Sequence, residues 1–101
     1  MIIAAACGGR EFSRFVTFRI ESGAVKERQE VLVMPGGPAA LVRQLVGLEV
    51  DLLLLNDVHP DLEAALADGG IAILIGSADL PPDAAVSAYL SGSYFFSREK
   101  K

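Results

Sequence analysis

The sequence predicts an α/β sandwich, with helices on both faces of a five-stranded mixed sheet and elements in the order β-β-β-α-β-α-β-α. Three observations predict it. Short, nearly continuous apolar runs at Ile2–Cys7, Val50–Leu55 and Ile71–Ile75 have the length of strands and the composition of strands covered on both faces, as parallel strands are. Between them, Val16–Glu21 alternates Val16, Phe18 and Ile20 with Thr17, Arg19 and Glu21, the pattern of a strand with one wet face. Segments of helical spacing then separate the second and third apolar runs and follow the third. Val50–Ile75 is therefore a β-α-β unit, whose crossover is right-handed.

The first strand closes at Gly8-Gly9. The alternating second strand ends at the turn Ser22-Gly23, and Glu27–Met34 returns as its hairpin partner, so that pair is antiparallel. In Pro38–Gly47 the residues Leu41, Val42, Leu45 and Val46 share one helical stripe, with Pro38 at the first turn and Gly47 at the end. Val50–Leu55 is the fourth strand and Asn56–Pro60 a loop. Asp61–Asp68 is a short helix with Leu62, Ala65 and Leu66 inward, stopped by Gly69-Gly70. After the fifth strand comes Gly76-Ser77-Ala78-Asp79, and Pro81-Pro82 opens a last helix through about Leu90. The apolar strands 1, 4 and 5 are expected to be parallel and central, with strand 2 antiparallel beside strand 1.

The chain has 101 residues and 51% hydrophobic composition, with a mean hydropathy of +0.40, which suits one folded domain rather than disorder. That domain is read as residues 1–96, with 97–101 a charged tail. Nine Lys and Arg against 13 Asp and Glu give a net charge of −4, against the clustered cations that nucleic-acid binding requires. Met1–Cys7 lacks the basic region of a signal peptide, and no apolar run is long enough to span a bilayer. A single cysteine fits a reducing compartment, so a cytoplasmic location is expected, with no membrane and no nucleic acid as partner.

Ligands of open α/β sheets collect beyond the carboxyl ends of the parallel strands. Here those ends are Cys7-Gly8-Gly9, Asn56-Asp57-Val58-His59-Pro60 and Gly76-Ser77-Ala78-Asp79. With strands 1 and 4 adjacent, the only Cys and the only His reach the same edge, and thiolate with imidazole suits iron and other transition metals. Cys7 could equally be a small core residue, and His59 a loop or capping residue. Two ligands are too few for a closed structural zinc site and suit an exchangeable metal or cluster with open positions. Gly8, Gly9, Gly36 and Gly37 form no dinucleotide fingerprint; they either serve turns or present backbone N–H groups to an anion. Arg10 and Arg14 could draw an anionic ligand or lie in solvent, and Tyr94-Phe95-Phe96 could pack on the core or meet a partner. The element order resembles ribonuclease-H-like folds. Two-metal nuclease chemistry needs carboxylates clamping cations about 3.5–4 Å apart, and the first strand carries no acid. A Cys7–His59 nucleophile pair lacks an orienting third group, which leaves a small hydrolase as the minor alternative.

Together these segments resemble the dinitrogenase iron–molybdenum cofactor biosynthesis family, the NifX/NifY type of accessory domain. The resemblance runs through Ser13-Arg14-Phe15, Ile20-Glu21-Ser22-Gly23, Gly36-Gly37-Pro38, the apolar Val50–Leu55, Pro60–Leu66, Gly70-Ile71-Ala72-Ile73 with Gly76, and Ala88-Tyr89-Leu90-Ser91-Gly92. It covers Met1 to about Phe96. It implies a ribonuclease-H-like three-layer sandwich without nuclease activity. It further implies a non-enzymatic protein that binds, carries or helps assemble an iron–sulfur or molybdenum–iron cofactor or precursor, with cluster-assembly proteins as partners. Two loops depart from the family. Val16-Thr17-Phe18 directly follows Phe15 where the family carries a longer stretch, and Met34–Pro38 is short; neither loop holds a His. The cofactor-binding candidates are Cys7, Gly8, Gly9, Gly36, Gly37, Asn56 and His59, with Cys7 and His59 as metal ligands. The competing reading is a cofactor-free protein-interaction module of the same fold.

Overall fold

Strands buried on both faces need apolar side chains of either parity, and the chain meets that need in three short runs. The computed structural model describes residues 1–7, 12–55, 57–76 and 81–92, and the backbone of 96–99. In chain order the elements are β1 (Ile2–Ala6), β2 (Arg14–Glu21), β3 (Ala24–Leu32), α1 (Gly37–Gly47), β4 (Leu52–Leu55), α2 (Pro60–Asp68), β5 (Ala72–Gly76), α3 (Pro82–Ser91) and β6 (Phe96–Glu99). They build one mixed sheet in the order β3-β2-β1-β4-β5-β6.

As expected, β1, β4 and β5 are parallel neighbours and β2 lies antiparallel beside β1. The expected count of five strands is corrected to six, so the element order ends in a strand rather than a helix. Residues 96–99, mostly assigned to a charged tail, pair antiparallel with β5, with Ile75 opposite Arg98. Phe-Ser-Arg-Glu shows no apolar alternation because an edge strand takes its stability from one neighbour's ladder and has no need to bury both faces. The hairpin strand β3 starts at Ala24, not Glu27. Ser22 (φ 54°) and Gly23 (φ 76°) make a two-residue left-handed turn, so pairing resumes at once with Glu21 opposite Ala24.

The sheet divides the core in two. Ala4 and Ala6 of β1, Phe15 of β2 and Leu53 and Leu55 of β4 pack with Leu41 and Leu45 of α1 and Leu62 and Leu66 of α2. The opposite parity, Ile3, Ala5, Val16, Phe18, Leu52 and Leu54, packs with Ala85 and Val86 of α3. The helices thus cover the sheet on both faces. Among the described residues no helix is long and apolar enough to cross a membrane.

Two contacts set the helices. Arg28 of β3 donates through Nε and Nη2 to Asp83 at the start of α3, at 2.7 and 3.0 Å. That hydrogen-bonded guanidinium holds the Asp83 carboxyl below its ordinary range. On the other face, α1 and α2 approach closely where α2 ends. A Cβ at Gly69 would lie 2.5 Å from Val42 Cγ1. Val42 is β-branched and stiff, so it cannot swing aside cheaply. Gly69→Ala is expected to lower stability by about 1–3 kcal/mol, read as a lower urea midpoint with an unchanged slope. An unchanged midpoint would show that the two helices separate freely.

Candidate functional site

The two helices that share one face both begin at the rim where β1, β4 and β5 end. Between their first turns lies a cleft of about 460 Å³, within the usual range of small-ligand sites. Phe12, Val33 and Met34 wall it from the strand exits, Gly37, Pro38 and Leu41 from α1, and His59, Asp61 and Leu62 from α2.

Local chemistry places each wall. The Val33 N–H donates to the Ser13 carbonyl at 2.9 Å, extending the β2–β3 pairing to the rim. Gln44 of α1 then clamps the strand exit: its Nε2 donates to the Leu32 carbonyl (2.8 Å) and its Oε1 accepts from the Met34 N–H (3.0 Å). The chain enters α1 through Gly36 (φ 119°) and Gly37 (φ 80°), left-handed conformations in which a side chain is strained. A Cβ at Gly36 would also meet Ala40 Cβ at 2.9 Å. On the α2 side, Val58 is buried and its N–H donates to Asp57 Oδ1 at 2.8 Å, which leaves His59 to cap the helix. His59 Nδ1 accepts the Asp61 N–H at 3.2 Å, and its ring is about half exposed, with Asp61 Oδ2 3.9 Å away.

The two helix starts differ electrically. α2 is capped by His59 and has Asp61 and Glu63 in its first turn. α1 has no capping side chain and no acid in its first turn. The positive end of its dipole therefore faces the cleft without a compensating carboxylate of its own. The His59 cap also fixes a tautomer. With Nδ1 accepting, the neutral ring carries its hydrogen on Nε2 and presents a donor.

The sequence candidates separate accordingly. His59 and Gly37 line one cleft, and Gly36 is the N-cap position of α1 next to Gly37. Cys7 leaves β1 with the parity of Ile3 and Ala5. It is half-buried against the α3-side cluster, its N–H bonded to the Arg14 carbonyl at 3.1 Å. Cys7 and His59 thus share a rim, but Cys7 does not line the His59 cleft. Gly8, Gly9, Arg10, Asn56, Ser77–Asp79, Tyr94 and Phe95 lie outside the described residues, as does the side chain of Phe96. Among the described residues no group of three or more His, Cys, Asp or Glu is placed to hold a metal ion. Sequence reasoning missed Phe12, Met34, Leu41 and Leu62. The available signal was the pair of Pro-initiated helices, at Pro38 and Pro60, that start at one rim. A second depression, about 100 Å³, lies at the opposite rim between Ile2, Thr17, Arg19, Glu27, Gln29 and Leu48, with Arg19 engaged by Glu21 and Glu27.

No family model matches the sequence, and no curated protein matches it. Solved structures share the fold at low sequence identity. PH0822 superimposes with a TM-score of 0.82 at 19% identity, over 95% of this chain and 96% of its own. A provisionally assigned dinitrogenase of Methanocaldococcus jannaschii, mj0327, gives 0.74 at 14% identity, over 99% and 97%. The apo form of the orange protein of Desulfovibrio gigas gives 0.71 at 20% identity, over 99% and 95%. These likenesses extend over nearly the whole of each chain.

Proposed function

We propose that this protein is a non-enzymatic carrier that holds an iron–sulfur or molybdenum–iron cofactor, or a precursor of one, in the rim cleft and passes it to cluster-assembly proteins. The observation that carries the reading is the make-up of that cleft. Apolar and thioether walls from Phe12, Val33, Met34, Leu41 and Leu62, with the Asp61 carboxylate on the α2 side, meet a histidine donor and the start of α1, which has no acid of its own. Metal–sulfur anions are large, polarisable and weakly hydrated. They lose little by leaving water for such walls and gain from N–H donors. In this reading His59 donates through Nε2, and Gly36 and Gly37 let the anion approach the α1 backbone. Coordination of a metal through Nε2 would instead move the hydrogen to Nδ1 and break the helix cap. The likeness to an orange protein described in its apo form, and to a provisionally assigned dinitrogenase, supports a cofactor-related role. The scaffold in this proposal is a ribonuclease-H-like sandwich without nuclease chemistry, consistent with a first strand that carries no acid.

The test is anaerobic reconstitution with ferrous iron, sulfide and molybdate, followed by gel filtration. Visible charge-transfer absorption is expected to co-elute with the protein. His59→Ala is expected to weaken retention about tenfold, the worth of a hydrogen bond to a charged group, whereas Cys7→Ala keeps it. Absence of co-eluting absorption, or retention indifferent to His59→Ala, would reject the cleft as the carrier site.

A further inference from the structure

The sheet ends on one side in β3, which α3 reaches through Asp83 on Arg28 and α1 through Gln44 on the Leu32 carbonyl. All but one of its nine residues are exposed, although β2 beside it is largely buried. Its free edge has a definite phase. Since Val33 bonds to Ser13, alternation turns the N–H and C=O groups of Glu27, Gln29 and Val31 towards β2, in agreement with the Thr17 hydroxyl donating to the Gln29 carbonyl at 3.4 Å. Arg28, Glu30 and Leu32 consequently turn theirs outward, and since the Leu32 carbonyl already accepts from Gln44 Nε2 at 2.8 Å, Arg28 and Glu30 supply the edge. A register irregularity opposite Arg19 and Ile20 interrupts the strand below Glu27, so the regular edge is Glu27–Leu32.

An unpaired edge of this kind invites another strand, and natural edges are commonly defended by charge. Here the charges are arranged to attract a copy of themselves. When two β3 strands run antiparallel about a two-fold axis at Gln29, Arg28 of each faces Glu30 of the other, and this happens twice. In that register the outward-facing backbone groups of Arg28 and Glu30 meet across the axis. Moving the axis to Arg28 would set the two Arg28 side chains against each other, a like-charge pair. Arg28 is held by Asp83 and has Glu30 of its own strand 3.6 Å away, so it is ordered before it meets the second Glu30.

We propose that the protein self-associates through β3, joining two six-stranded sheets into one continuous sheet with Gln29 on the two-fold axis. The partner is a second copy of this chain. The interface is small, so the dimer is weak, with dissociation expected between about 10 μM and 1 mM. The proposal is independent of the rim cleft, since β3 pairs by its free edge.

Sedimentation velocity over a concentration series tests it, with circular dichroism to verify folding. The unaltered chain is expected to pass from monomer to dimer in that range. Gln29→Glu and Gln29→Lys each place like charges opposite one another at the axis and are expected to weaken the dimer about tenfold. An equimolar mixture of the two variants is expected to restore association, because Glu then faces Lys. A chain that stays monomeric throughout, a dimer insensitive to both substitutions, or a mixture that associates no better than either variant alone would each overturn the proposal.

Discussion

Leu53→Ala is expected to cost about 3–4 kcal/mol of stability. Leu53 sits on the central strand β4, is fully buried, and packs in the cluster that α1 and α2 close over the sheet. Truncation removes its transfer energy and leaves a cavity that two parallel neighbours, β1 and β5, cannot collapse into. A domain of this length has roughly 5–15 kcal/mol in total, so the variant should melt far below the parent and populate unfolded chains at ambient temperature. Leu32→Ala is the internal control. Same residue type, same sheet, but 75% exposed, it should change stability by less than about 0.5 kcal/mol. Paired urea titrations separate the two readily. Equal midpoints would show that the core face has been misassigned.

Gly36→Ala is expected to lower stability by about 2–4 kcal/mol and to impair the cleft along with it. Two costs combine at that residue. Its φ of 119° lies where an L side chain is strained, and an added Cβ would press on Ala40 Cβ at 2.9 Å. Relief requires the start of α1 to rotate, which displaces Gly37, Pro38 and Leu41 from the cleft wall. Gly37→Ala provides the comparison: φ is again left-handed at 80°, yet nothing lies within 4 Å of an added Cβ. It should cost only about 1 kcal/mol, the strain without the collision. Urea midpoints on both variants, together with cofactor retention in the reconstitution assay, check the pair. A Gly36→Ala variant as stable as Gly37→Ala would refute the collision.

Much of this architecture was readable from residue order. Three apolar runs of both parities demand cover on both sides, and that demand makes β1, β4 and β5 central and parallel. Hydrophobic periodicity is a local signal, and it survives translation into structure because burial acts on each strand directly. The same signal fails at the edges. β3 began three residues earlier than its alternation suggested, and β6 was missed, because exposed edge strands are held by backbone ladders that any side chain permits.

The site was less legible. The helix starts and the rim were readable, and with them His59, Gly36 and Gly37 as candidates. Which candidates share a cavity depended on side-chain parity at the ends of strands, where the last residue's direction is set by the register of its neighbours. Cys7 continues the parity of Ile3 and Ala5 and packs towards α3, while His59 is drawn to the opposite face by capping α2. Composition, strand order and helix starts are properties of segments and can be read along the chain. A cleft is a relation among Phe12, Met34, Leu41 and His59, which are distant in sequence, and packing alone brings them to one wall.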